Sequence, residues 1–340
     1  MMDWTDFAIT TVCIPIVAFV VSTWLPGIMR KIQARIQLRI GPPVLTPGFW
    51  AFFKFLYKER IRPVSPMPRL YHSLPVIGIF LMFFIILLTT PAWETVLTLG
   101  TLVAIAGLMK VEEMLYLFMG NLSKSILSVR MPYPDQVKGA VMKGKVRRFF
   151  EQVAVVRTFK LISIGSFPLY IGLFVPAVMY GSIGIMAVAS AQGFDPATFV
   201  LRDLFSLNPL ILTVPGAIGA IAYFAGYLVI LNEYPFSIMH TKADVVEGPT
   251  LEYAAWARAG YYLMREVTIF VMSSVFVTLY FGIPPMIGWA LIPHIILVML
   301  LPVGAAIVSA FTPVLTFKQV YPLSLGFSAL GVIGLIVAML

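Results

Sequence analysis

The stretch FAITTVCIPIVAFVVSTWLPGI, residues 7–28, contains no charged side chain. It exceeds the roughly 20 residues needed to cross a hydrocarbon core as a helix. Asp3 and Asp6 precede it, and Arg30 and Lys31 follow it. A secretory signal has the opposite polarity, so the run is expected to stay as a permanent helix with its N-terminus outside.

The rest of the chain agrees with a lipid solvent. Of 340 residues, 60% are apolar and only 11% are charged, and mean hydropathy is +0.93. A soluble domain carries about 25% charged residues. Apolar periods predict eight helices near residues 7–28, 73–91, 95–119, 158–190, 210–231, 259–281, 287–309 and 323–339. Backbone polar groups in lipid must pair within their own segment, so the expected fold is an all-α polytopic bundle. A single membrane domain would fill residues 1–340. Its cytoplasmic loops would be residues 29–72, 122–157 and 232–258, and the chain is expected to be a multi-pass protein of the cell membrane.

Charge sets the orientation. Nine of the 24 lysines and arginines lie between the first two helices, and nine more between Lys124 and Lys160. Lys242, Arg258 and Lys318 fall on the same side. Opposite them is Arg202, with Asp3, Asp6, Glu94, Asp195 and Asp203. The positive-inside bias therefore puts the basic loops in the cytoplasm and both termini outside. The net charge of +9 is read as topology plus contact with anionic lipid, and no nucleic-acid partner is expected.

Cys13 is the one cysteine, and His72, His240 and His294 are widely separated. A single thiol can close no intrachain disulfide and build no cysteine-ligated cluster. Phosphate loops and nucleophile motifs are missing from the sequence. No catalytic residue, cofactor or metal is expected in this chain.

Residues 30–59, RKIQARIQLRIGPPVLTPGFWAFFKFLYKE, divide at Gly41-Pro42-Pro43, a helix breaker. Before it, Lys31, Arg35 and Arg39 recur every four residues as a basic stripe. After it, Phe49, Phe52, Phe53 and Leu56 share an apolar face suited to a membrane interface. This segment resembles the first cytoplasmic loop of the membrane "heel" subunit of respiratory complex I. That family also includes the membrane anchor of group 4 energy-converting [NiFe]-hydrogenases and related membrane-bound sulfur reductases. The resemblance implies eight helices with both ends outside.

A second resemblance lies in EYPFSIMHTKADVVEGPTLEY, residues 233–253. Glu233, Pro235, Phe236, Glu247-Gly248-Pro249 and Glu252-Tyr253 match the hydrogenase branch. The Asn-Arg-Pro-Pro opening common in quinone-using members is missing. Ser237 stands where that branch has Asp, and His240 and Lys242 occupy positions that are often acidic, whereas Asp244 keeps one acid. Carboxylates crowded at a membrane boundary titrate as a group, so charge arriving nearby moves protons among them. A solvated loop capping the fifth helix is the plainer alternative.

Charges also enter the apolar runs. Glu266, beside Arg265, sits within the sixth predicted helix, where the family often has a glutamate on a buried acidic route. Adjacent positions point about 100° apart, so the two need not pair. In GLMKVEEMLYLFMGN, Lys110 and Glu113 are three apart and can pair, and Glu112 points elsewhere. In the family's fourth helix a Ser-Tyr-Glu precedes a proline. Here LISIGSFP places Ile164 and Gly165 at the Tyr and Glu. The expectation is that Glu112 or Glu113 supplies a carboxylate from the third helix instead, unless that helix ends early and both are at the surface. Residues 132–152 read as a basic insertion relative to the family.

The resemblance implies a membrane anchor and coupling subunit of a ferredoxin-linked oxidoreductase, either a hydrogenase or a sulfane-sulfur or polysulfide reductase. Peripheral partners would carry iron–sulfur clusters and a nickel–iron-type large subunit. Antiporter-like membrane subunits would pump H⁺ or Na⁺. Coupling candidates are Glu233, Asp244, Glu247, Glu252, Glu266, Glu112, Glu113 and Lys110. Docking candidates are Arg30, Lys31, Arg35, Arg39 and Arg258. A quinone-binding heel subunit and a stand-alone secondary transporter are the alternative readings; the two halves show no repeat of the kind many transporters carry.

Overall fold

The computed structural model describes residues 4–60, 65–97, 99–123, 155–156, 158–237 and 253–340. Asp244, Glu247 and Glu252 lie outside the described residues, as do His240, Lys242 and the basic insertion. Among the described residues the chain is helical, with one isolated bridge between Thr101 and Gly184 in place of any sheet.

Helix α1 (Trp4–Ile36) passes through Pro15 and Pro26 and outruns the predicted span by two turns. Lys31 and Arg35 therefore project from its last turns. Leu38 turns the chain at φ 57°, leaving Arg39 beyond the helix and only part of the basic stripe helical. The chain then folds back on α1. A Cβ at Gly27 would overlap the Val44 carbonyl, and one at Gly48 would overlap the Thr23 carbonyl, so both positions require glycine. A π-turn (Thr46–Trp50) leads into the short α2 (Ala51–Leu56). Phe52 meets Phe19 edge-on at 5.7 Å, and Phe55 stacks on Tyr262 at 5.5 Å. Trp50, Leu56 and Tyr57 remain exposed.

Next come α3 (Pro68–Leu88), α4 (Pro91–Leu97) and α5 (Leu102–Leu122). The predicted helix 95–119 is thus two helices. The bridge interrupts them: Leu102 donates its N–H to the Ile183 carbonyl at 2.9 Å, and Ile185 donates to Gly100 at 2.9 Å. Thr101 caps α5 by accepting from the Ala104 N–H. The predicted helix 158–190 is also broken. It runs as a span over Thr158–Tyr180, comprising a π-turn (Leu161–Gly165) and α6 (Phe167–Tyr180). Gly181, left-handed at φ 62°, ends it before α7 (Ile185–Ala191).

Short 3₁₀ turns at Leu201–Phe205 and Leu210–Leu212 bend 76° into α8 (Val214–Ile230). The remaining helices are α9 (Ala255–Tyr280), α10 (Leu291–Val298), α11 (Leu300–Phe311) and α12 (Phe317–Met339). Among the described residues, six helices are long and apolar enough to cross a membrane, or seven if the bent pair is one span. Helix α5, at 21 residues as long as α3, is less apolar because it carries Lys110, Glu112 and Glu113.

Helix α9 is the hub. Its most apolar stretch is 89% buried, against 22% for α12. Helices α1, α2 and α3 pack against it, while α6, α8 and α12 form a group of their own. The buried Gln192 and His294 fasten one end. Gln192 donates to the Leu279 carbonyl at 2.8 Å, and His294 lies 2.9 Å from the Ser274 hydroxyl and 2.8 Å from the Ile283 carbonyl. These contacts satisfy polar groups that lipid could not.

Candidate functional site: a file of buried charges

Where α8 ends, Asn232 adopts a left-handed backbone (φ 52°), which asparagine tolerates better than most residues. That turn swings Glu233 towards α9. There Arg265 Nη2 donates to Glu233 Oε1 at 2.6 Å. The loop that follows Glu233 is anchored at both described ends. Phe236 is buried, and the Pro235 carbonyl accepts from the Leu315 N–H at 2.9 Å. Tyr253 stacks on Tyr71 at 4.2 Å and donates to its carbonyl at 2.9 Å.

Glu233 and Arg265 open into a chamber of about 460 Å³. Glu266 lies in its wall, 7% exposed, in the field of Arg265 and Arg30. Gln33, Phe55 and Tyr262 also line it. Arg265 thus pairs across 32 positions of sequence, not with its neighbour Glu266.

On the far side of Arg265 is a second, smaller cavity of about 30 Å³, room for a water molecule. Asn232 and Arg265 line both spaces and form the wall between them. Glu112 and Glu113, each 2% exposed, line the inner one. Helix α5 runs on to Leu122, so neither acid sits at a frayed surface end. The Thr268 hydroxyl of α9 lies 3.1 Å from Glu112 Oε1, and the Tyr116 phenol also bonds Glu112. Lys110 Nζ donates to Glu113 Oε2 at 2.6 Å and to the Ser166 hydroxyl at 2.7 Å. It also lies 4.3 Å from the Tyr170 ring centroid, and Tyr170 donates to Glu113 Oε1 at 2.9 Å.

The position of the missing fourth-helix acid has a physical explanation. A Cβ at Gly165 would meet Val229 Cγ1 at 2.8 Å, so a glutamate there would require Val229 to move. Ser166, next to it, is the residue that Lys110 reaches from α5. Glu113 therefore occupies the same neighbourhood from another helix.

The structure distributes the docking candidates unevenly. Arg30 lines the chamber, and Arg35 and Arg39 are exposed. Lys31 is half-buried. Arg258 is held by the chain's own aromatics, donating to the Tyr262 hydroxyl at 2.8 Å and lying 5.8 Å from the Phe55 ring. Sequence reasoning paired Lys110 with Glu113 but missed Glu233–Arg265, Thr268, Ser166 and Tyr170, whose partners lie far away in the chain, and also Tyr116, one helical turn from its partner Glu112. Among the described residues, no three His, Cys, Asp or Glu side chains are grouped to hold a metal ion.

Fold and site together define a multi-pass helical membrane protein with ionisable groups sealed among its helices. The sequence matches the NADH dehydrogenase family over residues 8–130 and 140–340. The chain belongs to that family, which includes the heel subunit of complex I. The unmatched residues 131–139 overlap the stretch read as an insertion. An uncharacterized protein of Methanocaldococcus jannaschii is 42% identical, with 98% of this chain and 99% of that relative covered. NADH-ubiquinone oxidoreductase chain 1 of Patiria pectinifera is 25% identical, with 96% and 94% covered. The corresponding NADH-quinone oxidoreductase subunit of Protochlamydia amoebophila is 26% identical, with 80% and 75% covered. The fold is that of a chain in the membrane-bound sulfane sulfur reductase, an archaeal respiratory membrane complex. The TM-score is 0.76 at 18% identity, with 98% of this chain and 99% of that one covered. The chain is thus a membrane subunit of the complex I-like type.

Proposed function

We propose that this chain is the membrane anchor and coupling subunit of a ferredoxin-linked oxidoreductase, a membrane-bound hydrogenase or sulfane-sulfur reductase that exports H⁺ or Na⁺. The observation that carries the reading is the file of charges: Glu233 and Glu266 in the chamber, Arg265 in the wall, then Glu112, Glu113 and Lys110. Ionisable groups at membrane depth are costly and mark ion pathways. Helix α5 counts as the eighth span in this reading. We assign the loop acids Asp244, Glu247 and Glu252 to the same coupling group on their sequence alone.

Peripheral partners hold the iron–sulfur and nickel–iron-type groups and perform the redox chemistry. This chain's part is electrostatic. A change of charge beside the chamber loosens Glu233 from Arg265, and the freed guanidinium re-pairs with the acids on its other side. Coupled acids then redistribute protons as a unit. Replacing Arg265 with methionine in the assembled complex tests this. The predicted result is continued electron transfer with ion export lost. Normal export from a fully assembled variant would contradict it.

One observation favours a second reading. The chamber is walled by Met29, Phe55, Tyr262 and Ile269 as well as by charges, a mixture suited to a quinone. The missing Asn-Arg-Pro-Pro opening weighs against it. Quinone retained in stoichiometric amount by the gently solubilised complex would decide for this alternative.

A further inference from the structure

The segment with the 3₁₀ turns Leu201–Phe205 and Leu210–Leu212 meets α8 at a bend of 76°. With α8 standing across the bilayer, this segment runs close to the plane of the membrane surface. It is pinned in that position by Gln192, which is fully buried. The Gln192 carbonyl accepts from the Asn208 N–H at 2.9 Å, and its side-chain oxygen accepts from the Leu210 N–H at 3.0 Å. Its side-chain nitrogen donates to Leu279, one residue from the end of α9. Phe194, Phe199, Leu207 and Leu210 are all packed in the core.

The other side of the segment is apolar and uncovered. Phe205 is 91% exposed and Leu212 81%, and Val200 is half exposed. Water disfavours such side chains, and apolar surface held outward by a fixed backbone marks a contact surface. What covers it is indicated by its surroundings. Two residues beyond Leu212, Val214 begins α8, and Ile221 lies seven positions further on the same helix face. Both are more than half exposed, so the apolar strip continues into the membrane-spanning part of α8. The ends of two other spans carry the same mark: Trp4 opens α1 and Trp289 lies just before α10, each more than half exposed. With α5 counted as a span, alternation along the chain puts Trp4, Phe205 and Trp289 on one side of the membrane. Exposed aromatics at that level form an interfacial belt. The acids of the segment serve its own turns. Asp203 accepts from the Val200 N–H at 2.8 Å, and Asp195 accepts from the Ala197 N–H at 3.0 Å and the Thr198 hydroxyl at 2.9 Å. Arg202 is exposed beside Asp203.

We infer that residues 200–212 are a lipid-binding surface segment on the side where α1 begins. Phe205 and Leu212 enter the bilayer at the boundary of headgroups and acyl chains, and Arg202 meets the headgroup phosphates. The partner is the lipid leaflet itself. The inference rests on the chain's spanning the membrane and is independent of ion coupling.

The test uses the whole complex in its native membrane, with photoreactive benzoylphenylalanine in place of Phe205 or, separately, Leu212. Both positions are exposed, so the complex should assemble. After irradiation, mass spectrometry should find this chain's own peptide carrying the mass of a membrane lipid from either position. An adduct with another protein in place of lipid would overturn the inference, and so would the lack of any adduct, which marks a side chain in water. Depth is read with the purified complex in phosphatidylcholine vesicles, whose lipids carry a diazirine either next to the headgroup or at the acyl tip. Residues 200–212 should be labelled at least tenfold more by the first. Equal labelling, or more from the tip, would contradict an interfacial position. The double variant Phe205→Ser/Leu212→Ser should lower the headgroup-side labelling severalfold with subunit composition unchanged; undiminished labelling would overturn the assignment of these two side chains.

Discussion

Arg265 is the residue on which the two cavities turn. It pairs with Glu233 at the chamber and also lines the inner cavity that Glu112 and Glu113 line. Removing it leaves Glu233 without its charge partner. Loss of a fully buried partner costs about 3–5 kcal/mol. Because the Arg265 side chain keeps 29% exposure towards the chamber, Arg265→Met should cost less, on the order of 2 kcal/mol. Thermal unfolding of the complex should show that loss, and Arg265→Lys should recover part of it. Glu113 makes a different prediction. Glu113→Gln keeps the shape, and its carbonyl oxygen can still accept from Lys110 while its NH2 donates to the Tyr170 oxygen, but it removes one negative charge from the file. Electron transfer by the assembled complex should persist while ion export falls at least tenfold.

At the scale of elements, the fold-back of the first loop onto α1 depends on Gly27 and Gly48, where any side chain would enter backbone. Gly48→Val should cost about 1–3 kcal/mol by overpacking. It should also displace α2 from Tyr262 and deform the chamber, read as loss of peripheral subunits from the purified complex with the membrane subunits retained. Gly165→Glu should destabilise through Val229. Adding Val229→Ala should relieve that, and the new carboxylate should then restore part of the export lost in Glu113→Gln. Sequence reveals some of these elements and hides others for identifiable reasons. Lys110 and Glu113 are three apart on one helix, so periodicity finds them. Gly181 breaks a span inside an apolar run, where hydropathy is equally high on both sides and signals no stop. Glu233 and Arg265 meet only because Asn232 turns left-handed at the end of α8, which no local pattern announces. The crowding at Gly165 comes from Val229 on another helix, so the missing glutamate is visible in sequence but its cause is not.

The whole molecule is a membrane subunit of the complex I-like type. Its central helix α9 is almost wholly covered, 18 of its 24 lysines and arginines fall within residues 30–69 and 124–160, and its charged file reaches from the chamber to the half-exposed Lys110 on α5. Gentle solubilisation should bring down peripheral iron–sulfur subunits and further membrane subunits with it, and iron should be measurable in that preparation. A chain that purifies alone and moves solute would be a transporter. The most direct measurement is of ion export per electron, in sealed vesicles containing the assembled complex, for the wild type and for Glu113→Gln. Coupling through the buried file predicts undiminished electron flow with export near background in the variant. Equal export per electron from both would contradict it.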